Sequence, residues 1–236
     1  MELWHVPLHM QADAMASALE VLDAGERARA DRFRASSDRM AFVAAHAAMR
    51  HILAEASGHP PRTLAFVPGP AGKPRLANAH LGNLHFSLSH SADHALVVVC
   101  PGRLVGVDLE ALPARQLVAD DMEAVFSAAE LAAIRALPPE AQALAILRCW
   151  VRKEALLKAV GCGLEDDVRR VTVSVSAEAR LLASEHPQVA AGDWALLALE
   201  SPGRWVGAIA AQDAATPIAP RWRQWRWPAG VQGLAA

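Results

Sequence analysis

The chain has 236 residues, 53% of them apolar and 20% charged, with a formal net charge of −2. That is enough apolar material for one large or two small soluble domains, although much of it is alanine. The charge balance lacks the basic excess of a general nucleic-acid binder, and no run of about 18 uninterrupted apolar residues is present to span a membrane.

The cysteines Cys100, Cys149 and Cys162 are odd in number and have no C-x-x-C spacing. A disulfide framework or zinc knuckle is therefore not expected, and a reducing cytoplasm is. The start, Met1-Glu2-Leu3-Trp4-His5, lacks the basic-then-apolar order of a signal peptide.

In chain order, residues 3–8 read as a short strand. Residues 27–56 read as one or two amphipathic helices, with Phe33, Phe42, Val43, Met49, Ile52 and Leu53 as the apolar stripe. Gly58-His59-Pro60-Pro61 stops them. Arg27, Arg29, Arg32, Arg34 and Arg39 are either a solvated basic face or, if they face an anion, a grip for it. The stretch from Pro68 to Pro74 is a loop by composition, and Gly72-Lys73-Pro74 within it is a rigid turn bearing one cation. Residues 84–88 and 95–100 read as strands with Ser89-His90-Ser91 at the turn between them, and 104–109 as the next strand.

A second helix-then-strand block begins near Asp121. Ser127-Ala128-Ala129-Glu130 has the capping-box pattern, in which serine and glutamate satisfy each other's free amide donors. Pro138-Pro139 ends that helix, and 141–160 forms a long one closing at Gly161-Cys162-Gly163. Residues 168–176, 194–199 and 205–211 read as strands. The expectation is an α+β fold of two helix-plus-sheet lobes joined near 101–120.

Two constellations carry chemistry. On a strand, residues two apart share a face, so Asp108 and Glu110 project together while Leu109 turns to the core. Paired carboxylates are costly unless neutralised, which suits a site for Mg²⁺; a solvated strand end reads the same way. On a helix, residues four apart share a face, so Glu154 lies beside Trp150 and Lys158, with Lys153 one position round. That arrangement is either a ligand-and-base set or an ordinary Glu-to-Lys surface pair.

Taken together, Gly-Lys-Pro at 72–74, Phe-Ser-Leu-Ser-His-Ser at 86–91, Val-Gly-Val-Asp-Leu-Glu at 105–110, Phe-Ser-x-x-Glu at 126–130 and Trp-x-x-Lys-Glu-Ala-x-x-Lys-x-x-Gly-x-Gly-Leu at 150–164 closely resemble the 4′-phosphopantetheinyl transferase superfamily. Length and spacing are similar to the monomeric, two-lobed class that includes the surfactin-synthetase activator and serves nonribosomal peptide and polyketide synthases. The resemblance implies two lobes, 1–104 and 105–220, related by a pseudo-two-fold axis with the active site at their interface, and leaves 221–236 as a Trp/Arg-rich tail.

It further implies transfer of 4′-phosphopantetheine from coenzyme A to a serine of an apo-carrier protein, with release of 3′,5′-ADP. Asp108, Glu110 and Glu154 match the Mg²⁺ (or Mn²⁺) carboxylates, with Glu154 also the base. Lys153 and Lys158 match pyrophosphate positions, Lys158 as proton donor to the leaving group. Lys73, Pro74, Ser89 and His90 match the adenosine and 3′-phosphate segments, and Arg29 and Arg39 are the basic candidates for that phosphate. The sequence departs from the pattern at Ala41, His46 and Cys162. The carrier is expected to dock on 112–125, with Arg115, Leu117 and Met122, or on the tail, whose Arg/Trp alternation also reads as a final strand with arginines on indoles. Rival readings are a Mg²⁺-dependent hydrolase of a coenzyme A or nucleotide pyrophosphate, and a non-catalytic coenzyme A-binding module.

Overall fold

The computed structural model describes residues 1–69, 72–77, 81–112, 119–162 and 168–227. The first lobe runs β1 (Glu2–Pro7), α1 (Ala12–Val21), α2 (Ala24–Ala30), α3 (Ser36–Ser57), β2 (Phe66–Pro68), β3 (Pro74–Leu76), β4 (Leu84–Ser91) and β5 (His94–Pro101). The second repeats this order as β6 (Val105–Ala111), α4 (Ala119–Val125), α5 (Ala128–Arg135), α6 (Pro139–Val160), β7 (Val171–Val173), β8 (Leu181–Ser184), β9 (Trp194–Ser201) and β10 (Trp205–Gln212). Strand order repeats as well: β1-β5-β4 in one sheet and β6-β10-β9 in the other, with β2-β3 and β7-β8 as separate two-stranded ribbons.

The repetition has local chemical causes. Helices α2 and α5 each start with a complete capping box, Asp23 with Glu26 and Ser127 with Glu130. Helices α3 and α6 are each 22 residues long and each ends at a left-handed glycine, Gly58 (φ 72°) and Gly161 (φ 82°), a conformation that suits glycine because it has no Cβ to clash. Arg50 and Lys153 stand the same number of residues before those glycines, and both are fully buried cations. Each is paired to the capping-box glutamate of its lobe: Arg50 Nε lies 2.6 Å from Glu26 and Lys153 Nζ 2.7 Å from Glu130. Each also donates to carbonyls just beyond its helix, Arg50 to Pro61 and Leu64, Lys153 to Val168 and Val171. A buried charge survives only when paired and hydrogen-bonded; here that requirement ties helix, capped helix and following loop into one unit per lobe.

One expectation changes and two open readings resolve. Ser89-His90-Ser91 belongs to β4, and the turn falls one step later at Ala92, which takes a positive φ of 48°. Of the one or two helices read over 27–56 there are two, α2 and α3. The tail rejoins the first lobe: β11 (Arg221–Gln224) pairs in parallel with β1, so the sheet reads β11-β1-β5-β4. Its Arg223 guanidinium lies 4.2 Å over the ring of Trp4, an indole of the first strand and not of the tail. Residues 113–118, with Arg115 and Leu117 of the expected docking segment, and 163–167 lie outside the described residues, while Met122 packs against the second core. Among the described residues no helix is long and apolar enough to cross a membrane.

Helix α6 lies on β6 at Gly106. A Cβ there would stand 2.0 Å from the Ala155 carbonyl oxygen and 2.4 Å from the Ala159 nitrogen, both backbone atoms that cannot rotate away. Glycine-to-alanine in a strand normally stabilises by about 0.5–1 kcal/mol. Gly106→Ala is expected instead to destabilise by roughly 2 kcal/mol or more, as overpacking does, measured by thermal or urea unfolding. An unchanged or raised midpoint would mean that α6 is not seated on β6.

Candidate active site

Asp108 is buried on β6, while Leu109 points the other way into the core shared by the two sheets. Because α6 crosses β6 at Gly106, its Glu154–Lys158 face comes down beside Asp108. Lys158 Nζ lies 2.6 Å from Asp108 Oδ1 and donates to Ser89 Oγ at 3.0 Å, and Ser89 in turn donates to Asp108 Oδ1 at 2.7 Å. Glu110, half-buried on the same strand, accepts from Ser91 Oγ at 2.9 Å and from the Trp150 side chain.

Two carboxylate oxygens, Asp108 Oδ2 and Glu154 Oε1, are buried with no hydrogen-bond partner. Such atoms are costly unless a cation or donor reaches them. All three carboxyls are shifted accordingly. Burial, opposed by Lys158, raises Asp108; burial raises Glu110, with Asp108 adding to it; burial, then the charges of Asp108 and Glu110, push Glu154 up to about 7. As arranged, the cation beside Asp108 is Lys158, and among the described residues no three His, Cys, Asp or Glu side chains stand together closely enough to enclose an ion.

Glu154, with Ser89 and Lys158 that hold Asp108, borders a cavity of about 440 Å³ between the lobes, lined also by Arg29, His46, Lys73 and His90 among others. Its first-lobe wall carries Arg29 and the imidazoles of His46 and His90. Burial lowers the His90 pKa, and the nearby charges of His46, Lys158 and Arg29 lower it further. His46 Nδ1 is fixed 2.9 Å from Glu26 Oε1, and Arg29 sits 5.2 Å over Phe42. The cavity thus sets Arg29 and two imidazoles across from Glu154 and Lys158.

Not every expected residue converges. Asp108, Glu110, Glu154, Lys158, Ser89, His90 and Arg29 do, and Lys73 and Pro74 form wall. Lys73 Nζ, however, is spent on the Val105 and Ala159 carbonyls at 2.9 and 3.3 Å, and burial takes its pKa down to about 8. It fastens the lobes. Lys153, expected at the pyrophosphate, faces the opposite way and is saturated by Glu130 and the Val125, Val168 and Val171 carbonyls. Arg39 pairs with Asp31 at 3.0 Å and does not line the cavity. Missed were His46 as a wall residue, and Ser91 and Trp150 as holders of Glu110. The serine alternation in 87–91 was the available signal for Ser91.

The raised carboxyls set a pH dependence. Folded Glu154 keeps its proton up to about pH 7, whereas the unfolded chain loses it near 4.5. Over that interval the folded state holds more protons, so stability falls as pH rises, by on the order of 3 kcal/mol for this group. In chelator, Glu154→Gln should unfold at a midpoint that drops less between pH 5 and pH 7.5 than that of the parent chain. Superimposable profiles would contradict the burial of an unpaired Glu154.

Comparison with known proteins fits this geometry. Residues 104–210 match the model of the 4′-phosphopantetheinyl transferase superfamily, and 8–102 match that of the 4′-phosphopantetheinyl transferase N-terminal region. The 4′-phosphopantetheinyl transferase HetI of Nostoc sp. is 34% identical over 69% of this chain and 69% of its own length. The L-aminoadipate-semialdehyde dehydrogenase-phosphopantetheinyl transferase of Mus musculus is 29% identical over 67% of this chain and 54% of its own. The 4′-phosphopantetheinyl transferase AcpT of Salmonella typhimurium is 38% identical over 39% of this chain and 47% of its own, so the chain spans about half the length of these last two. The chain belongs to the 4′-phosphopantetheinyl transferase superfamily.

Proposed function

We propose that the chain transfers the 4′-phosphopantetheine arm of coenzyme A to a serine hydroxyl of an apo-carrier protein. The observation that carries this reading is one cleft with Arg29, His46 and His90 on one side and, on the other, Glu154 and Lys158, whose partner Asp108 lies next to Glu110. A ligand with a phosphate at one end and a pyrophosphate at the other meets both. The relatives are named as transferases, which gives the hydrolase alternative no support.

Asp108, Glu110 and Glu154 would hold Mg²⁺, or Mn²⁺ in its place, on drawing closer together than they stand here; the buried, unpartnered Asp108 Oδ2 and Glu154 Oε1 are the oxygens left to meet it. When bound, such an ion draws charge from pyrophosphate oxygens as the leaving group departs. Glu154, at the cavity wall, is placed to accept the serine proton. The serine oxygen bonds to the β-phosphorus as the bond to the ADP oxygen breaks. Lys158, about a third exposed at the cavity wall, offsets the charge that develops on 3′,5′-ADP. His90, Arg29 and His46 take the 3′-phosphate, a role in which they replace Arg39, while Lys73 and Pro74 shape the wall beside it.

One chain supplies both sides of the cleft, which supports action as a monomer, and thiols at Cys100, Cys149 and Cys162 suit a reducing cytoplasm. The carrier belongs to the peptidyl, acyl or aryl class, as for the two-lobed enzymes that activate nonribosomal peptide and polyketide synthases.

The test is incubation with coenzyme A, Mg²⁺ and a panel of apo-carriers, read by intact mass. The expected result is a gain of one phosphopantetheine on at least one carrier, absent for Asp108→Ala and Glu154→Ala although both remain folded. Lys158→Ala should lower turnover more than coenzyme A affinity. Release of 3′,5′-ADP without any carrier would replace the transferase by a hydrolase.

A further inference from the structure

Strand β4 and strand β6 are edge strands of different sheets, and they face one another. The backbone amides of Val107, Leu109 and Ala111 point to this side, since β6 pairs through its other edge with β10. An edge amide needs an acceptor. Here the acceptors are side chains: Ser87 Oγ takes Val107 N–H at 3.2 Å, Ser89 Oγ takes Leu109 N–H at 3.4 Å, and Ser91 Oγ takes Ala111 N–H at 3.1 Å. Each pair is 20 residues apart, so the strands run parallel with a fixed register.

A hydroxyl that accepts a hydrogen bond still has its own proton to give. Ser91 gives it to Glu110 Oε2 at 2.9 Å, as Ser89 gives its own to Asp108. Glu110 is therefore held from both lobes, by Ser91 on β4 and by Trp150 on α6. We infer that Ser91 is a positioning residue: it fixes Glu110 in the place a divalent cation needs and makes that place depend on the closed seam between the lobes. Ser91 is not among the residues that line the cavity. Ser87, whose hydroxyl closes the seam without a carboxylate attached, provides the matched control.

The inference rests on the proposed metal-dependent reading, and its test can fail separately from it. Mn²⁺ binding to the full-length protein with coenzyme A present, followed by electron paramagnetic resonance, gives a readout that needs no carrier. Partners that orient metal ligands are typically worth 10–100-fold in metal affinity. Ser91→Ala should therefore raise the half-saturating Mn²⁺ about tenfold, and Ser91→Thr, which keeps the hydroxyl, should restore it. The effect should vanish in a Glu110→Gln background, because Ser91 acts through that carboxylate. Ser87→Ala should lower the unfolding midpoint without moving the Mn²⁺ requirement. If Ser91→Ala does not fold, Ser91→Cys, similar in volume and a weak donor, takes its place. Unchanged Mn²⁺ binding in folded Ser91→Ala or Ser91→Cys, or an equal shift in Ser87→Ala, overturns the inference. A shifted Mn²⁺ requirement with no carrier modified by any form of the protein overturns the transferase reading instead and leaves the role of Ser91 standing.

Discussion

The contact on which the cleft depends is between two backbones. At Gly106 the missing side chain lets α6 rest its main chain on β6. From that contact follow the descent of Glu154 and Lys158 beside Asp108, and the nearness of the end of α6 to β3. Lys73 then reaches across to the Ala159 carbonyl on α6 and the Val105 carbonyl on β6. Any side chain at 106 would lift the helix and separate the carboxylate of α6 from those of β6. The second fastening is the row of serine hydroxyls between β4 and β6, which sets the lobes in register.

The repeated topology explains why there is one such centre and not two. In the first lobe His51 and Glu55 stand as far before Gly58 as Glu154 and Lys158 stand before Gly161. That face is covered by the end of the chain. Arg223 pairs with Glu55 at 3.0 Å, and the Trp225 ring lies 5.6 Å from that of His51. Strand β11 on β1 thus occupies in the first lobe the surroundings that the second lobe leaves to the cleft. The same helix position meets the Trp/Arg segment in one half and faces the cleft in the other.

Much of the centre was legible because it is written in local periods. Alternation on a strand places Asp108 with Glu110, and a four-residue step on a helix places Glu154 with Lys158. What could not be read was which neighbour faces inward. Lys153 adjoins Glu154 in sequence but sits one helical step round, where Glu130 and three carbonyls from distant segments make burial of a cation tolerable. Lys73 looked like a free cation because its partners are backbone oxygens on two other elements. The serine alternation in 87–91 was visible as a strand pattern, yet its meaning lies in amides of β6 that no local window contains. The Trp/Arg alternation allowed a final strand, but only the tertiary fold supplies β1 as its partner.

The central claim is that carboxylates from β6 and α6 form a single site at which coenzyme A and a divalent cation bind together. Calorimetric titration of coenzyme A into the protein, with and without Mg²⁺, tests it directly. The account predicts one coenzyme A per chain, bound more tightly with Mg²⁺ by the parent protein and with no gain from Mg²⁺ in Glu154→Gln. Full Mg²⁺ strengthening retained by Glu154→Gln would contradict it.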